Sequence, residues 1–420
     1  MATYGRSYLA HAQVYEAGAH PPALMAMGLC VVPSDSYELT YTGGALALGS
    51  TLFWAMGMAG NLTARRAMRG EDVAADLDEF TAAVNDFPTL YRTTPLTDIP
   101  ILDKHFPSWR KWLEHPARDE WWQARAVPRR DDIPTVVVAG WHDLFLNGSL
   151  QQFAEAAPYA GSRLVIGPWG HGMPGTALED VDYGRASSGM AVGLDAEMLD
   201  FLASHVRGES SDSKPARASG CSAWGEPLAG RAQLAADRHH SDRPVPLRRR
   251  KIVCRRGDRR SPRPLSCSTP GTRAHDGRTP LVADGDAANA RGSCDQRPLD
   301  LRQDVLRFTT EPLATNMDVI GPVIVTLFAA ASAADTDWTA KLVDVWPDGR
   351  ALNIVDGIVR ARYRNPSCGE ELLEPNRPHE FVIELGATAQ RVTASGSISP
   401  ARTFPASTAI LARGLSRRHR

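Results

Sequence analysis

A serine at position 7, an aspartate at 143 and a histidine at 171 are the residues here whose types and order suit acyl-transfer chemistry. "TYGRSYLA" (3–10) reads as a strand end, a sharp turn and the first turn of a helix, with Ser7 at the apex. A Gly-x-Ser turn between strand and helix exposes a hydroxyl as a nucleophile elbow, and small neighbours are needed because Cβ atoms would clash where strand and helix pack. Gly5 supplies one such neighbour; Leu9 stands where a second glycine is usual, followed by the small Ala10. "VVVAGWHDLF" sets Asp143 three residues past a strand end, and "LVIGPWGHG" sets His171 four residues past the next. A hydroxyl alone is a weak nucleophile; an imidazole takes its proton and a carboxylate orients the imidazole. Taken singly, Ser7 could be a loop serine, Asp143 a helix N-cap and His171 a solvated loop residue. In this order, each at a strand end, they favour a triad. His142 is the rival base, set aside because acid and base should come from successive strand ends. His11 and His20, on or after the elbow helix, read as structural.

These groups meet only if one sheet carries them. "LMAMGLCVV" (24–32), "IPTVVVAG" (133–140) and "RLVIGP" (163–168) are continuous apolar runs, as in parallel strands buried on both faces. "SLQQFAEAA" and "AEMLDFLASHV" alternate with them as helices, the second with Leu194, Met198, Phe201, Leu202 and His205 at helical spacing. Strand and helix in alternation predict an α/β fold with a parallel sheet, whose carboxyl ends share one edge. Residues 35–130 are helical and aromatic. From about residue 305 the pattern turns to short apolar or period-two strands, with Asp348-Gly349 as a hairpin turn, which predicts a separate β-sandwich.

A chain of 420 residues with 43% hydrophobic content can hold two or three domains. A net charge of −1 gives no overall field toward nucleic acid or an anionic membrane, and neither is expected as a partner. There is no apolar run long enough for a transmembrane helix and no signal-peptide pattern. Six scattered cysteines form neither a disulfide framework nor a zinc pattern, so a reducing cytoplasm is the expected compartment. Residues 221–300 stand apart: 15 Arg and 1 Lys face 9 acidic residues, with Trp224 the only aromatic and no periodicity. A frame error in a coding sequence rich in G and C accounts for this texture better than a disordered basic linker. Nucleic-acid binding is the weakest reading, since no aromatic residues interleave with the arginines.

"YGRSYLA", "AGWHDLF", "GPWGHG" and "FLASHVRG", with "DQRPLDLRQDVLRFTTEPL" and "DTDWTAKLVDVWPDGRALNIVDGIVRARYR", resemble in order six blocks of the Xaa-Pro dipeptidyl-peptidase and bacterial cocaine-esterase-like serine hydrolases. The resemblance implies an α/β-hydrolase domain (1–34 and 131–212), a helical cap (35–130) and a partial jelly-roll β-sandwich (294–390). Between and after them come an irregular basic segment (213–293) and an irregular tail (391–420). It implies a triad of Ser7, Asp143 and His171, the Tyr8 backbone N–H as an oxyanion donor, and Trp54 and Phe145 as pocket walls. It implies no metal or organic cofactor, and an acyl ester, amide or peptide as substrate. The turn lacks the acidic residue two after the serine found in related amino-acid ester hydrolases, which points to a relatively apolar acyl group. Relatives carry about half of the parallel sheet, and a tyrosine hydroxyl serving as second oxyanion donor, ahead of the elbow. Here only "MATY" precedes Gly5, so a truncated, frame-disrupted copy is expected. The alternative is an inactive remnant or a non-catalytic jelly-roll binding module. The oligomeric state is open.

Overall fold

The computed structural model describes residues 1–126, 132–156, 161–172, 175, 177–178, 181–209, 217–220, 292–301, 305–310, 312–365, 369–392 and 407–416. Strand β1 (Ala2–Arg6) runs into helix α1 (Tyr8–Gly18), and β2 (Ala26–Cys30) follows. A hairpin of β3 (Tyr41–Thr42) and β4 (Ala45–Leu46) opens the helical stretch. That stretch holds α2 (Leu48–Met68), α3 (Ala74–Asn85), α4 (Phe87–Arg92), α5 (Pro100–His105), α6 (Ser108–Glu114) and α7 (Glu120–Gln123). The chain then returns to the sheet through β5 (Thr135–Gly140), α8 (Leu146–Ala156) and β6 (Arg163–Gly167). A second hairpin, β7 (Ala177–Leu178) and β8 (Val181–Asp182), precedes α9 (Leu194–Arg207) and β9 (Arg217–Gly220).

Strands β1, β2, β5, β6 and β9 pair in that order, all parallel. The continuous apolar runs resolve into two buried faces. Met27, Leu29, Val137, Ala139, Leu164 and Ile166 point to one face with Ala10 and Ala17 of α1 and Phe153 of α8. Ala26, Cys30, Val136, Val138 and Val165 point to the other with Met198, Phe201 and Leu202 of α9. Each large side chain buried this way contributes about 1.5–3 kcal/mol, which fixes the strand register and hence the position of every strand end.

The helices between β4 and β5 enclose their own core of Leu52, Ala55, Met56, Phe80, Ile99, Leu102, Phe106 and Trp109. The indole N–H of the fully buried Trp109 donates to Leu96 O (2.9 Å).

The last third is antiparallel, as expected: β10 (Val305–Thr309), β11 (Met317–Ala329), β12 (Thr336–Val345), β13 (Ala351–Arg360), β14 (His379–Val392) and β15 (Ser407–Ser416). One sheet has the order β10-β15-β12-β13, and β11 pairs with β14. Trp338, Leu342, Ile354, Val359, Phe381 and Ile383 fill the space between the two layers. The turn at Asp348-Gly349 connects β12 and β13 through Gly349 (φ 86°), with Trp346 N donating to Arg350 O. Inside the sandwich, Arg360 donates two hydrogen bonds to Asp337 (2.7 and 2.9 Å), and its backbone N–H reaches Gly43 O.

Two expected irregular segments contain strands. Ser407–Ser416, placed by the sequence reading in an irregular tail, is seated between β10 and β12. Arg217–Gly220, placed in the basic segment, adds the fifth parallel strand beside β6. Residues 221–291 lie outside the described residues.

Candidate active site

The parallel sheet delivers three side chains to one edge. Ser7 follows β1 directly and caps α1 with φ 54° and ψ −121°. A non-glycine residue at such a positive φ stores about 1–3 kcal/mol and persists only where its surroundings over-determine it. They do so here. Ser7 N donates to Cys30 O (2.9 Å), and Ser7 O accepts from His11 N (2.9 Å). Gly5 lets α1 cross this close, since a Cβ there would lie 2.8 Å from both the carbonyl carbon and oxygen of Leu9. Leu9 is tolerated where a glycine is usual because its side chain points outward, the residue being 64% exposed.

Asp143 follows β5 across a turn held by Trp141 N to Gly167 O (2.9 Å), His142 N to Trp169 O (3.0 Å) and Asp143 N to Gly140 O (3.1 Å). Gly140 is required there, because a Cβ would sit 2.1 Å from Trp169 O. His171 follows β6 by four residues and faces both partners. Ser7 Oγ lies 2.8 Å from its Nε2, and Asp143 Oδ2 lies 2.8 Å from its Nδ1. The Asp143 side chain is 1% exposed and that of His171 14%. The second carboxylate oxygen, Oδ1, accepts from Phe145 N (2.7 Å). With Nδ1 donating to the carboxylate, Nε2 presents its lone pair to the Ser7 hydroxyl.

The Tyr8 N–H is the first amide of α1 and has no carbonyl one turn back inside the helix to pair with. The Tyr8 ring lies 5.7 Å from Trp54 of α2, which stacks on Trp112 (5.7 Å) and meets Phe106 edge-on (5.8 Å). Phe145 is buried, its ring edge-on to His171 at 5.2 Å. All the sequence-predicted site residues therefore gather around the elbow or in the aromatic cluster beside it.

His142, the rival base, lies elsewhere. It is buried, its Nε2 is 2.8 Å from Tyr183 Oη, and desolvation lowers its pKa from 6.5 to about 4. His11 is buried against Tyr15, with its pKa also lowered by burial.

Two contacts had no sequence signal. The Arg6 guanidinium, one residue before the serine, donates to Gly172 O and clamps the histidine loop to β1. Trp112 and Phe106, which extend the aromatic wall from Trp54, were legible only as members of an aromatic helical region.

A parallel sheet with a serine on a strained strand-to-helix turn, and an acid and a histidine from later strand ends, defines an α/β-hydrolase of the serine hydrolase class. Residues 1–173 match the model of the X-Pro dipeptidyl-peptidase (S15 family), and residues 242–399 match the X-Pro dipeptidyl-peptidase C-terminal non-catalytic domain. The chain is 33% identical over 414 residues to the cocaine esterase of Rhodococcus sp. (strain MB1 Bresler), covering 92% of this chain and 69% of the relative. It is 28% identical over 246 residues to a putative serine esterase of Mycobacterium bovis, covering 55% of this chain and 36% of the relative. In fold it is similar to an aminopeptidase from a marine-sediment Thaumarchaeota archaeon (TM-score 0.67, 18% identity, 99% of this chain and 69% of the other). It is likewise similar to an α-amino acid ester hydrolase (TM-score 0.61, 19% identity, 99% and 69%). The chain belongs to the S15 X-Pro dipeptidyl-peptidase and cocaine-esterase-like family, whose members are serine hydrolases of esters and peptides. The match over 242–399 runs through much of the segment expected to be irregular (213–293) and past residue 390, so the family resemblance extends further than expected there. Among the described residues, no helix is long and apolar enough to cross a membrane.

Proposed function

We propose that the chain hydrolyses an apolar acyl ester or amide through an acyl-enzyme on Ser7. Ser7 Oγ attacks the acyl carbonyl while His171 Nε2 takes its proton. Asp143 holds the Nδ1–H tautomer and stabilises the imidazolium that forms. The Tyr8 N–H donates to the oxyanion, where one such donor is worth about 100- to 1000-fold in rate. His171 then protonates the leaving alkoxide or amine, and a water activated by the same nitrogen returns Ser7 to its free form. Trp54 and Phe145 line the acyl side, and the Tyr8–Trp54–Trp112 wall favours an apolar or aromatic acyl group over a charged one.

The observation that carries this reading is the unbroken line of two 2.8 Å contacts from Ser7 Oγ through His171 to Asp143. Pre-steady-state hydrolysis of p-nitrophenyl butyrate tests it. A burst of nitrophenol stoichiometric with enzyme is expected, followed by slower turnover, and the burst disappears in Ser7→Ala. A burst of unchanged size in Ser7→Ala refutes the assignment.

A further inference from the structure

We infer that Asp76, Glu79 and His105 form a binding site for one divalent transition-metal ion of the zinc type. The site lies in the helical region, apart from the acyl-transfer chemistry, and joins α3 to the end of α5. One donor atom from each of the three residues lies within 4.8 Å of the others.

The observation that points to a ligand is the state of His105. Its side chain is 3% exposed, and its Nε2 is buried without any hydrogen-bond partner. That nitrogen faces Asp76 Oδ1 at 3.6 Å. Thr63 Oγ1 lies 3.0 Å from Ala59 O and 3.3 Å from His105 Nδ1. In the tautomer whose Nδ1–H donates to Thr63, Nε2 directs its lone pair at the Asp76 carboxylate. A cation between Nε2 and Asp76 Oδ1 gives both atoms a partner. The Nδ1–H bond to Thr63 is also the outer-shell contact that fixes the tautomer of a metal-ligating imidazole.

The ammonium that the two carboxylates share is an exposed one. Lys104 Nζ lies 2.5 Å from Asp76 Oδ1 and 3.5 Å from Glu79 Oε2, with its side chain 53% exposed. It stands where an incoming ion would sit and can swing to solvent. Arg66 holds the other Asp76 oxygen, Oδ2, at 2.8 Å and extends to Glu71, so Asp76 stays oriented when Lys104 leaves. Glu79 is 40% exposed and opens the site to solvent. One imidazole and two carboxylates form a mixed N/O donor set that suits Zn²⁺ or Co²⁺ better than Mg²⁺ or Ca²⁺, with water completing the shell.

The test is calorimetric titration of the chelator-treated full chain with Zn²⁺, with Co²⁺ visible absorption as an independent readout. The wild type is expected to show a Zn²⁺ site that His105→Gln weakens by at least the 10- to 100-fold typical of losing an outer-shell partner. Glu79→Gln alters a partly exposed surface carboxylate, keeps the fold and also weakens that site. Lys104→Met removes the competing cation and tightens binding by about two- to fivefold, the equivalent of releasing one exposed ion pair. A folded wild type that binds no Zn²⁺ overturns the inference. Equal affinity in wild type and Glu79→Gln, or no tightening in Lys104→Met, does the same.

Discussion

Replacing Asp143 with asparagine is isosteric, and the structure dictates which way the amide must face. Asp143 Oδ1 accepts from Phe145 N at 2.7 Å, and Oδ2 faces His171 Nδ1 at 2.8 Å. In Asp143→Asn, only the carbonyl oxygen can accept from the Phe145 N–H, so the NH₂ turns to His171. It then donates to Nδ1, which moves the imidazole proton to Nε2, and Nε2 can no longer take the Ser7 proton. Loss of charge adds to this. A carboxylate and an imidazolium with charge centres about 4 Å apart, at an effective dielectric of about 20, attract by about 4 kcal/mol, or roughly a thousandfold in rate. With the wrong tautomer included, kcat for p-nitrophenyl butyrate is expected to fall about 10⁴-fold. KM should change little, because no substrate contact is lost. The melting temperature serves as the control for folding. A variant that keeps kcat within tenfold of wild type, with its fold intact, refutes the argument that Asp143 sets the His171 tautomer.

Stability should fall as pH drops from about 6.5 to about 4. Over that range the unfolded chain takes up a proton that the buried, neutral His142 does not. The loss is about 3 kcal/mol across the window and absent above it. Urea midpoints against pH check this, with the slope reduced in His142→Gln. Asp337→Ala strands the buried Arg360 guanidinium and should cost about 3–5 kcal/mol, read as a lower denaturation midpoint. Trp54→Ala removes the ring beside Tyr8; kcat/KM should drop about 10- to 100-fold for an aromatic acyl ester and much less for an acetyl ester.

The residues of the proposed triad stand out because the strands that carry them are short and loud in sequence. Two β-branched or apolar runs stop at Gly140 and Gly167, and both glycines are forced by the close approach of Trp169. Ser7 was harder to read, since Leu9 breaks the usual small-residue pattern; only the direction of its side chain, outward, makes it harmless. The choice of His171 over His142 followed from strand order, and burial of His142 against Tyr183 gives the physical reason. Strand β15 was missed because "STAILARGLS" has a mixed pattern, interrupted by Arg413 and Gly414, within an arginine-rich tail, and its pairing comes from β10 and β12, far away in the chain. Sequence could not show that Arg6 reaches Gly172 or that His105 faces Asp76, since each pair joins elements whose proximity exists only after folding.

The proposed reaction requires the Ser7 hydroxyl to be made nucleophilic by His171. Incubation of the folded chain with a fluorophosphonate, followed by proteolysis and mass mapping, tests that directly. The predicted result is a single adduct on Ser7, absent from Ser7→Ala and strongly reduced in His171→Ala. An unlabelled folded protein, or an adduct on another serine that survives Ser7→Ala, contradicts it.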